Sequence, residues 1–123
     1  ADLDASQAYL TARLARGESV VLLALVGDPA GGATPVGFTQ IYPSFGSLTL
    51  APLWILYDLY VSPEARRGGV GRALLTTARE RAAQAGATQM VLQTAHTNTT
   101  AQALYESLGW RRDMTYWTYD LDV

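Results

Sequence analysis

The stretch VSPEARRGGVGRALL, residues 61–75, is the most informative part of the chain because it joins three kinds of local structure. A predicted apolar strand over residues 54–61 leads through a turn into a loop rich in arginine and glycine, and an Ala/Leu/Arg helix follows. Such a loop presents bare backbone N–H groups at a helix N-terminus, where partial positive charge accumulates. Its glycines let the backbone approach a ligand closely. We therefore predict an anion site, most simply for a diphosphate. Three arginines add full positive charge around it: Arg66, Arg67 and Arg72.

The residues next to the glycines separate different kinds of phosphate site. A P-loop needs Gly-Lys followed by Ser or Thr, whereas Gly71 is followed by Arg72 and Ala73. A dinucleotide fingerprint needs a third glycine, which residues 69–74 (GVGRAL) lack, and a downstream carboxylate, which residues 90–92 (MVL) lack. A nucleotide hydrolase and a dinucleotide-binding fold are therefore not expected. A glycine-rich turn between a strand and a helix is the plain structural alternative.

Two segments resemble motifs of one enzyme family. Residues 66–71, RRGGVG, resemble motif A of the GCN5-related N-acetyltransferases (the GNAT family), with the pattern R/Q-x-x-G-x-G/A. Residues 98–110, NTTAQALYESLGW, resemble motif B, N-x-x-A-x-x-L-Y-x-x-x-G-aromatic, at every fixed position. The spacing between the two leaves room for one helix and one strand, as the family requires. The resemblance covers residues 54–110. Small-amine and polyamine acetyltransferases of the family carry an acidic residue at the strand position of Asp58, so the resemblance favours these members.

Periodicity predicts the element order α-β-β-β-α-β-α-β. A first helix is indicated by Asp4 and Gln7 as a capping box, by Leu10 and Leu14 on one face, and by Gly17 at its end. Further helices are predicted over residues 70–85, closed by Gly86, and over residues 99–108. Strands are predicted over residues 19–26, 36–42, 48–61, 88–95 and 114–121.

This order gives an α/β fold with a mixed sheet (α+β) and helices on its faces. It resembles the GNAT fold without its first strand and helix, so we expect an N-terminus that is truncated, disordered or naturally short. The length of 123 residues predicts a single domain over residues 1–123.

Composition narrows the classes of function. The apolar content of 49% suits one core but is too interrupted for a membrane span. Cysteine is absent, which excludes disulfides, thiolate metal sites and a cysteine-linked acyl intermediate, and no metal is expected. A net charge of −2 argues against binding nucleic acid or a membrane surface. With no targeting signal seen, a cytoplasmic location is expected.

The GNAT resemblance implies acetyl-CoA as cosubstrate, with direct attack by the acceptor amine in a ternary complex. The diphosphate is expected to lie on Arg66, Arg67, Gly68, Gly69, Val70, Gly71 and Arg72. The pantetheine arm is expected to pair with the backbone of Leu59, Tyr60 and Val61. Family members often carry a β-bulge here, and a backbone N–H near Leu59 or Tyr60 is then expected to face the thioester carbonyl. Asn98 is expected to contact the pantetheine amides, and its alternative role is a helix N-cap.

Two residues are predicted to be catalytic. The resemblance places the Tyr105 hydroxyl at the sulfur of coenzyme A as general acid, although a tyrosine beside Leu104 and Leu108 also fits a core stripe. Asp58 lies in an apolar, aromatic strand where aspartate is disfavoured. It is predicted to bind the acceptor ammonium and help remove its proton, and the alternatives are an arginine partner or a solvated face. His96, the one histidine, is expected to be an exposed loop residue.

Three classes of function stay open on the sequence. The favoured class is an acetyltransferase acting on the primary amine of a small molecule, a polyamine or an amino-acid-like compound. The second modifies a protein lysine or N-terminus, and the third is a non-catalytic CoA-binding module. An acceptor pocket or an interface is expected from the aromatic residues Trp54, Tyr57, Tyr60, Tyr42 and Phe45. The aromatic surface predicted for the last strand suggests a homodimer.

Overall fold

The computed structural model describes residues 8–15, 19–28, 31–45, 51–66, 68–115 and 117–123. The chain divides into two compact units, Ala1–Gln93 and Thr94–Val123. The first unit contains a sheet and a helix, and the second contains a shorter helix. No helix in the described ranges is long and apolar enough to cross a membrane.

The described residues of the first unit form five strands and one α-helix. The strands are β1 (Ala8–Ala15), β2 (Ser19–Asp28), β3 (Gly31–Phe45), β4 (Pro52–Val61) and β5 (Gln89–Leu92). A short 3₁₀ turn (Pro63–Ala65) follows β4, and helix α1 (Val70–Gln84) connects it to β5. The second unit contains helix α2 (Thr99–Ser107).

The sheet is mixed, as predicted. Its strand order is β1-β2-β3-β4-β5, with antiparallel pairing throughout the first four strands and parallel pairing between β4 and β5. The crossover from β4 to the parallel strand β5 passes through α1, as such connections require. The Val/Leu/Ala run of β2 pairs on both edges, which suits a strand with apolar side chains on both faces.

The core lies between α1 and one face of the sheet. Alternate residues of β2 (Val20, Leu22 and Ala24) are buried there, with Ile41 of β3 and with Trp54 and Leu56 of β4. Helix α1 buries a stripe at helical spacing: Val70, Leu74, Leu75, Ala78 and Ala82. This packing fixes the N-terminus of α1, and with it the glycine-rich loop, over the carboxyl end of β4.

The N-terminal helix predicted from Asp4 to Gly17 is wrong over the described residues. Residues 8–15 form strand β1, whose register with β2 runs from Ala8↔Val26 to Ala15↔Ser19. Asp4, Gln7 and Gly17 lie outside the described residues. Leucines four apart fit a helix, but residues four apart also share one face of a strand, so this spacing does not separate the two. Pairing with the long neighbouring strand overrides a local preference this weak.

The strand predicted over residues 114–121 is also wrong. The described residues from Trp110 onward contain no strand, and those from Arg111 onward are exposed. Alternating aromatics and threonines specify which face a side chain takes, but a strand also needs a hydrogen-bonded neighbour. None of the described sheet ladders includes this segment. Strand β5 is shorter than the predicted 88–95 for the same reason, since its ladder with β4 ends at Leu56↔Leu92.

Strands β2 and β3 both extend beyond their predicted bounds. Strand β2, predicted over residues 19–26, continues to Asp28. Strand β3, predicted over residues 36–42, begins at Gly31 and ends at Phe45, and Gly31 pairs with Asp28. Strand β4, predicted over residues 48–61, begins at Pro52, a position that tolerates proline.

Candidate functional site

The glycine-rich loop enters α1 through a backbone conformation that favours glycine. Gly69 is the N-cap of α1 and has φ of 81°, in the left-handed region. A Cβ atom built on Gly69 would have no atom within 4 Å, so the space beside it is open. No side chain caps this helix N-terminus. The loop therefore exposes backbone to an open space at the positive end of the helix dipole.

The N–H groups of this loop are only partly used within the protein. Gly68 N–H donates to the Ala65 carbonyl at 3.2 Å, so that amide is already satisfied. The N–H groups of Gly69, Val70 and Gly71 have no hydrogen-bond acceptor among the described residues. Three consecutive amides at a helix N-terminus form an arrangement that suits an anion.

Two of the three arginines predicted around the loop lie within the described residues, and both have exposed side chains. Arg66 donates its Nε–H to the Val61 carbonyl at 3.1 Å, which ties the loop back to the end of β4, and the side chain is exposed. Arg72 lies in the first turn of α1 with an exposed side chain. Arg67 lies outside the described residues, so its predicted contact with the diphosphate stays a prediction.

Strand β4 carries a β-bulge at Tyr57, two residues before Leu59, where the predicted bulge position begins. The register with β3 shifts between Gln40↔Asp58 and Ile41↔Leu56, which leaves Tyr57 as the extra residue. Tyr57 and Asp58 therefore both project from the sheet face opposite α1. Without the bulge, strict alternation would turn Asp58 toward the face on which Leu56 is buried.

The bulge is stabilised by a hydrogen bond that sequence analysis missed. Thr39 is fully buried on β3, and its hydroxyl donates to the Asp58 carbonyl at 2.6 Å. A bulge disturbs the regular ladder, and this side-chain donor gives the Asp58 carbonyl a hydrogen-bond partner there. Nothing in the local sequence marks Thr39, because its role depends on the register between two strands.

One edge of β4 is open beyond the bulge. The ladder with β5 ends at Leu56↔Leu92, and β4 continues to Val61 without a ladder partner on that side among the described residues. Ser62 N–H donates to the Val36 carbonyl at 2.7 Å, so backbone groups of even-numbered residues here face β3. By alternation, the N–H and C=O groups of Leu59 and Val61 face the open edge. The Val61 carbonyl accepts from Arg66, which leaves Leu59 as the candidate partner for an extended ligand.

An open cleft of about 380 Å³ lies at the bulge, on the sheet face opposite α1. Four side chains line it: Gln40 and Tyr42 from β3, and Tyr57 and Asp58 from β4. The rings of Tyr42 and Tyr57 meet edge to face, with centroids 4.8 Å apart. Asp58 is exposed, and no described cation pairs with its carboxylate. Of the expected aromatic residues, Trp54 is instead buried in the core and Phe45 is exposed.

Gly37 allows helix α1 to pack closely against strand β3. A Cβ atom there would lie 2.8 Å from the Tyr60 carbonyl oxygen, 3.1 Å from Val70 Cγ1 and 3.3 Å from Leu74 Cδ1. Gly37 lies on β3, and only glycine fits where this strand passes so close to the first turn of α1 and to the carboxyl end of β4. Sequence analysis missed this residue as well, since a glycine inside a strand pattern has several explanations.

Asn98 of the second unit is the N-cap of α2. Its Oδ1 accepts from the Ala101 N–H at 3.3 Å, which is the alternative role considered from the sequence. The helix entry is further held by Gln102, whose Nε2 donates to the Ala95 and His96 carbonyls. The Asn98 side chain is exposed. Its amide N–H groups are therefore the part still available to pantetheine, and that contact stays a prediction.

Tyr105 is half-buried on α2, and its ring lies 6.0 Å from that of Trp110. Its hydroxyl has no hydrogen-bond partner among the described residues. Burial raises the pKa of Tyr105 above its ordinary value of 10.0, because desolvation disfavours the phenolate. The phenol is therefore kept in its protonated form, as a hydrogen-bond donor to a thiolate requires.

Comparison with known proteins places these features in a family. The model of the acetyltransferase (GNAT) family matches residues 2–110. The chain is 42% identical to the uncharacterized N-acetyltransferase YhfO of Bacillus subtilis (strain 168), over 99% of this chain and 78% of that protein. A crystal structure of a probable acetyltransferase has 44% sequence identity and a TM-score of 0.78, covering 88% of this chain and 70% of that one.

A more distant relative is the mycothiol acetyltransferase of Kocuria rhizophila, which is 37% identical over 64% of this chain. The chain spans only 26% of that protein's length. Together, the family match over residues 2–110 and the close structural match confirm the expected mixed-sheet acetyltransferase fold. The chain therefore belongs to the GNAT family of N-acetyltransferases, whose cosubstrate is acetyl-CoA.

Proposed function

We propose that this acetyltransferase transfers the acetyl group of acetyl-CoA to the primary amine of a small molecule, either polyamine-like or amino-acid-like. The observation that carries the proposal is the arrangement on β4. The bulge at Tyr57 and Asp58 opens a cleft with an unpaired carboxylate, and the same strand leads through Arg66 to three unused loop amides. A cosubstrate site and an acceptor site thus lie along one strand and its connection to α1.

The loop supports a diphosphate at one end of this arrangement. Backbone N–H groups of Gly69, Val70 and Gly71 donate to phosphate oxygens, and the helix dipole adds attraction to the negative charge. The Arg66 guanidinium retains terminal N–H groups beyond the one that holds the Val61 carbonyl. The open space beside Gly69 lets the diphosphate approach the backbone without meeting a side chain.

The open edge of β4 supports the rest of the cosubstrate. The pantetheine arm contains two amides, and Leu59 offers a backbone N–H and C=O in the geometry of a strand neighbour. Beside the bulge, an N–H on this edge is proposed to donate to the thioester carbonyl oxygen. Such a donor stabilises the negative charge that develops on that oxygen as the amine attacks.

Asp58 is proposed to hold the acceptor ammonium and to assist its deprotonation, directly or through water. The carboxylate faces a cleft with the rings of Tyr42 and Tyr57, and aromatic rings beside a carboxylate suit a cation. Tyr105 is proposed to donate a hydrogen bond to the departing sulfur. A thiolate is less basic than a phenolate, so the tyrosine stabilises the sulfur without needing to transfer its proton fully.

The proposal is tested by release of free thiol from acetyl-CoA across a panel of small amines and basic peptides. We expect turnover with small amines, and Asp58→Asn is expected to raise the acceptor KM at least about tenfold, since a charge-assisted hydrogen bond contributes about 1.5–3 kcal/mol. The backbone carbonyl that Thr39 holds is retained in this variant, so the bulge is preserved. Asp120→Asn is the matched control, because Asp120 is exposed and is not one of the residues that line the cleft.

Different results would favour the other two functions. Thiol release only with peptides would identify a protein lysine or N-terminal acetyltransferase. Calorimetric binding of acetyl-CoA without release on any acceptor would identify a CoA-binding module. An unchanged acceptor KM in Asp58→Asn would make that residue structural and would remove the proposed acceptor anchor.

A further inference from the structure

The cleft at the bulge contains a hydrogen-bond donor that the proposed reaction does not use. Gln40 donates its Nε2–H to the Tyr42 hydroxyl oxygen at 2.7 Å. Since the phenol oxygen accepts in this bond, its own hydrogen is left to be donated elsewhere. Among the described residues, none accepts that hydrogen.

The position of this donor is fixed before any ligand binds. Gln40 and Tyr42 are two residues apart on β3 and therefore lie on the same face of the sheet. The Gln40 bond holds the hydroxyl end of the ring, and the edge contact with Tyr57 at 4.8 Å orients the ring plane. A donor held in this way loses little freedom when it binds a ligand.

The cleft thus presents one hydrogen-bond acceptor and one hydrogen-bond donor to a ligand. Asp58 supplies a carboxylate that accepts only, and Tyr42 supplies a hydroxyl that is set to donate. A ligand that pairs with both the Asp58 carboxylate and the Tyr42 hydroxyl must carry an ammonium group and, a short distance away, an uncharged oxygen that can accept a hydrogen bond. A protonated polyamine carries donors only, so it leaves the Tyr42 hydrogen without a partner. A ligand that offered a carboxylate in place of the uncharged oxygen would be repelled by the carboxylate of Asp58.

We propose that the acceptor is a hydroxylated primary amine, such as an amino alcohol, and that Tyr42, oriented by Gln40, recognises its oxygen. This inference rests on the proposed function and assigns the acceptor class within it. Tyr42 is a specificity-determining residue, and Gln40 is a positioning residue that acts through it. The cleft volume of about 380 Å³ accommodates a molecule of this size.

The test compares 3-amino-1-propanol with n-butylamine, two primary amines of similar size that differ in a terminal hydroxyl. We expect the wild-type kcat/KM to favour the amino alcohol by about tenfold, because a site that hydrogen-bonds a substrate hydroxyl rejects an analogue without one. Tyr42→Phe keeps the ring and its contact with Tyr57, so the fold is retained. It is expected to bring the ratio close to one by lowering the amino alcohol value alone. Gln40→Leu is expected to lower the same ratio less.

Tyr119→Phe is the matched control, because Tyr119 is 93% exposed and is not one of the residues that line the cleft. A wild-type ratio near one, or a ratio that survives in Tyr42→Phe, overturns the inference while small-amine acetylation stands. Absence of thiol release with both amines, and with putrescine, overturns the proposed function and this inference with it. A fall in both kcat/KM values by the same factor in Tyr42→Phe would assign the hydroxyl a structural role and would also overturn the inference.

Discussion

Substitution of Gly69 separates backbone strain from ligand binding, because the chain contains a second glycine in the same conformation. Gly69 precedes α1 with φ of 81°, and Gly86 follows the same helix with φ of 85°. A Cβ atom built at either position meets no atom within 4 Å. An alanine at either site therefore has the same left-handed strain, about 1–2 kcal/mol, and no clash.

The two alanine variants are expected to differ in their affinity for acetyl-CoA. In Gly69→Ala the new methyl group occupies the open space beside the three unused amides, where the diphosphate is proposed to bind. Loss of one charge-assisted hydrogen bond costs about 1.5–3 kcal/mol, which corresponds to a Kd at least about tenfold higher. Gly86→Ala is expected to leave the Kd within about twofold of wild type, since it lies at the other end of α1.

Urea denaturation and isothermal titration calorimetry measure the two effects separately. Both variants are expected to lose a similar free energy of unfolding, and only Gly69→Ala is expected to lose affinity. A Kd in Gly69→Ala that equals the wild-type value would refute the diphosphate site. A Kd raised by the same factor in both variants would assign the effect to helix stability and would also refute the site.

Three further predictions concern Tyr105, Gly37 and the exposed aromatic side chains near the C-terminus. Tyr105→Phe is expected to lower kcat about 100-fold, as loss of general-acid assistance does, with little change in the Kd of acetyl-CoA. Because burial raises the Tyr105 pKa above 10.0, the phenol stays protonated and this factor is expected to be constant from about pH 6 to pH 9 in stopped-flow assays. A factor that varies with pH over this range would contradict the prediction. Gly37→Ala is expected to cost about 1–3 kcal/mol of unfolding free energy in urea, since its Cβ would lie 2.8 Å from the Tyr60 carbonyl oxygen. Unchanged stability would show that the backbone of β4 at Tyr60 can shift without cost. A homodimer is expected from the exposed aromatic side chains near the C-terminus; sedimentation velocity of Trp117→Ser should then show a weaker dimer, and a wild-type monomer at micromolar concentration would remove this prediction.

The local features of the candidate site were predictable from sequence. A glycine pattern between an apolar strand and an amphipathic segment specifies a loop at a helix N-terminus, and both observed helices begin at the predicted residues, Val70 and Thr99. Helix hydrogen bonds join residues four apart, so their signal is contained within a short window of sequence. Asp58 was also recognisable, because a carboxylate in an apolar strand requires an explanation.

What only the tertiary structure decided concerns contacts between strands. Residues 8–15 form a strand and the described residues of 114–121 do not, and the difference depends on a hydrogen-bonded neighbour distant in sequence. The register shift at Tyr57, which turns Asp58 into the cleft with Gln40 and Tyr42, depends on the β3–β4 pairing and on a buried hydroxyl from Thr39. Strand pairing is non-local, and a slip of one residue exchanges the two faces of a strand. The residue types of this site are therefore readable along the chain, but their meeting on one face is a property of the folded sheet.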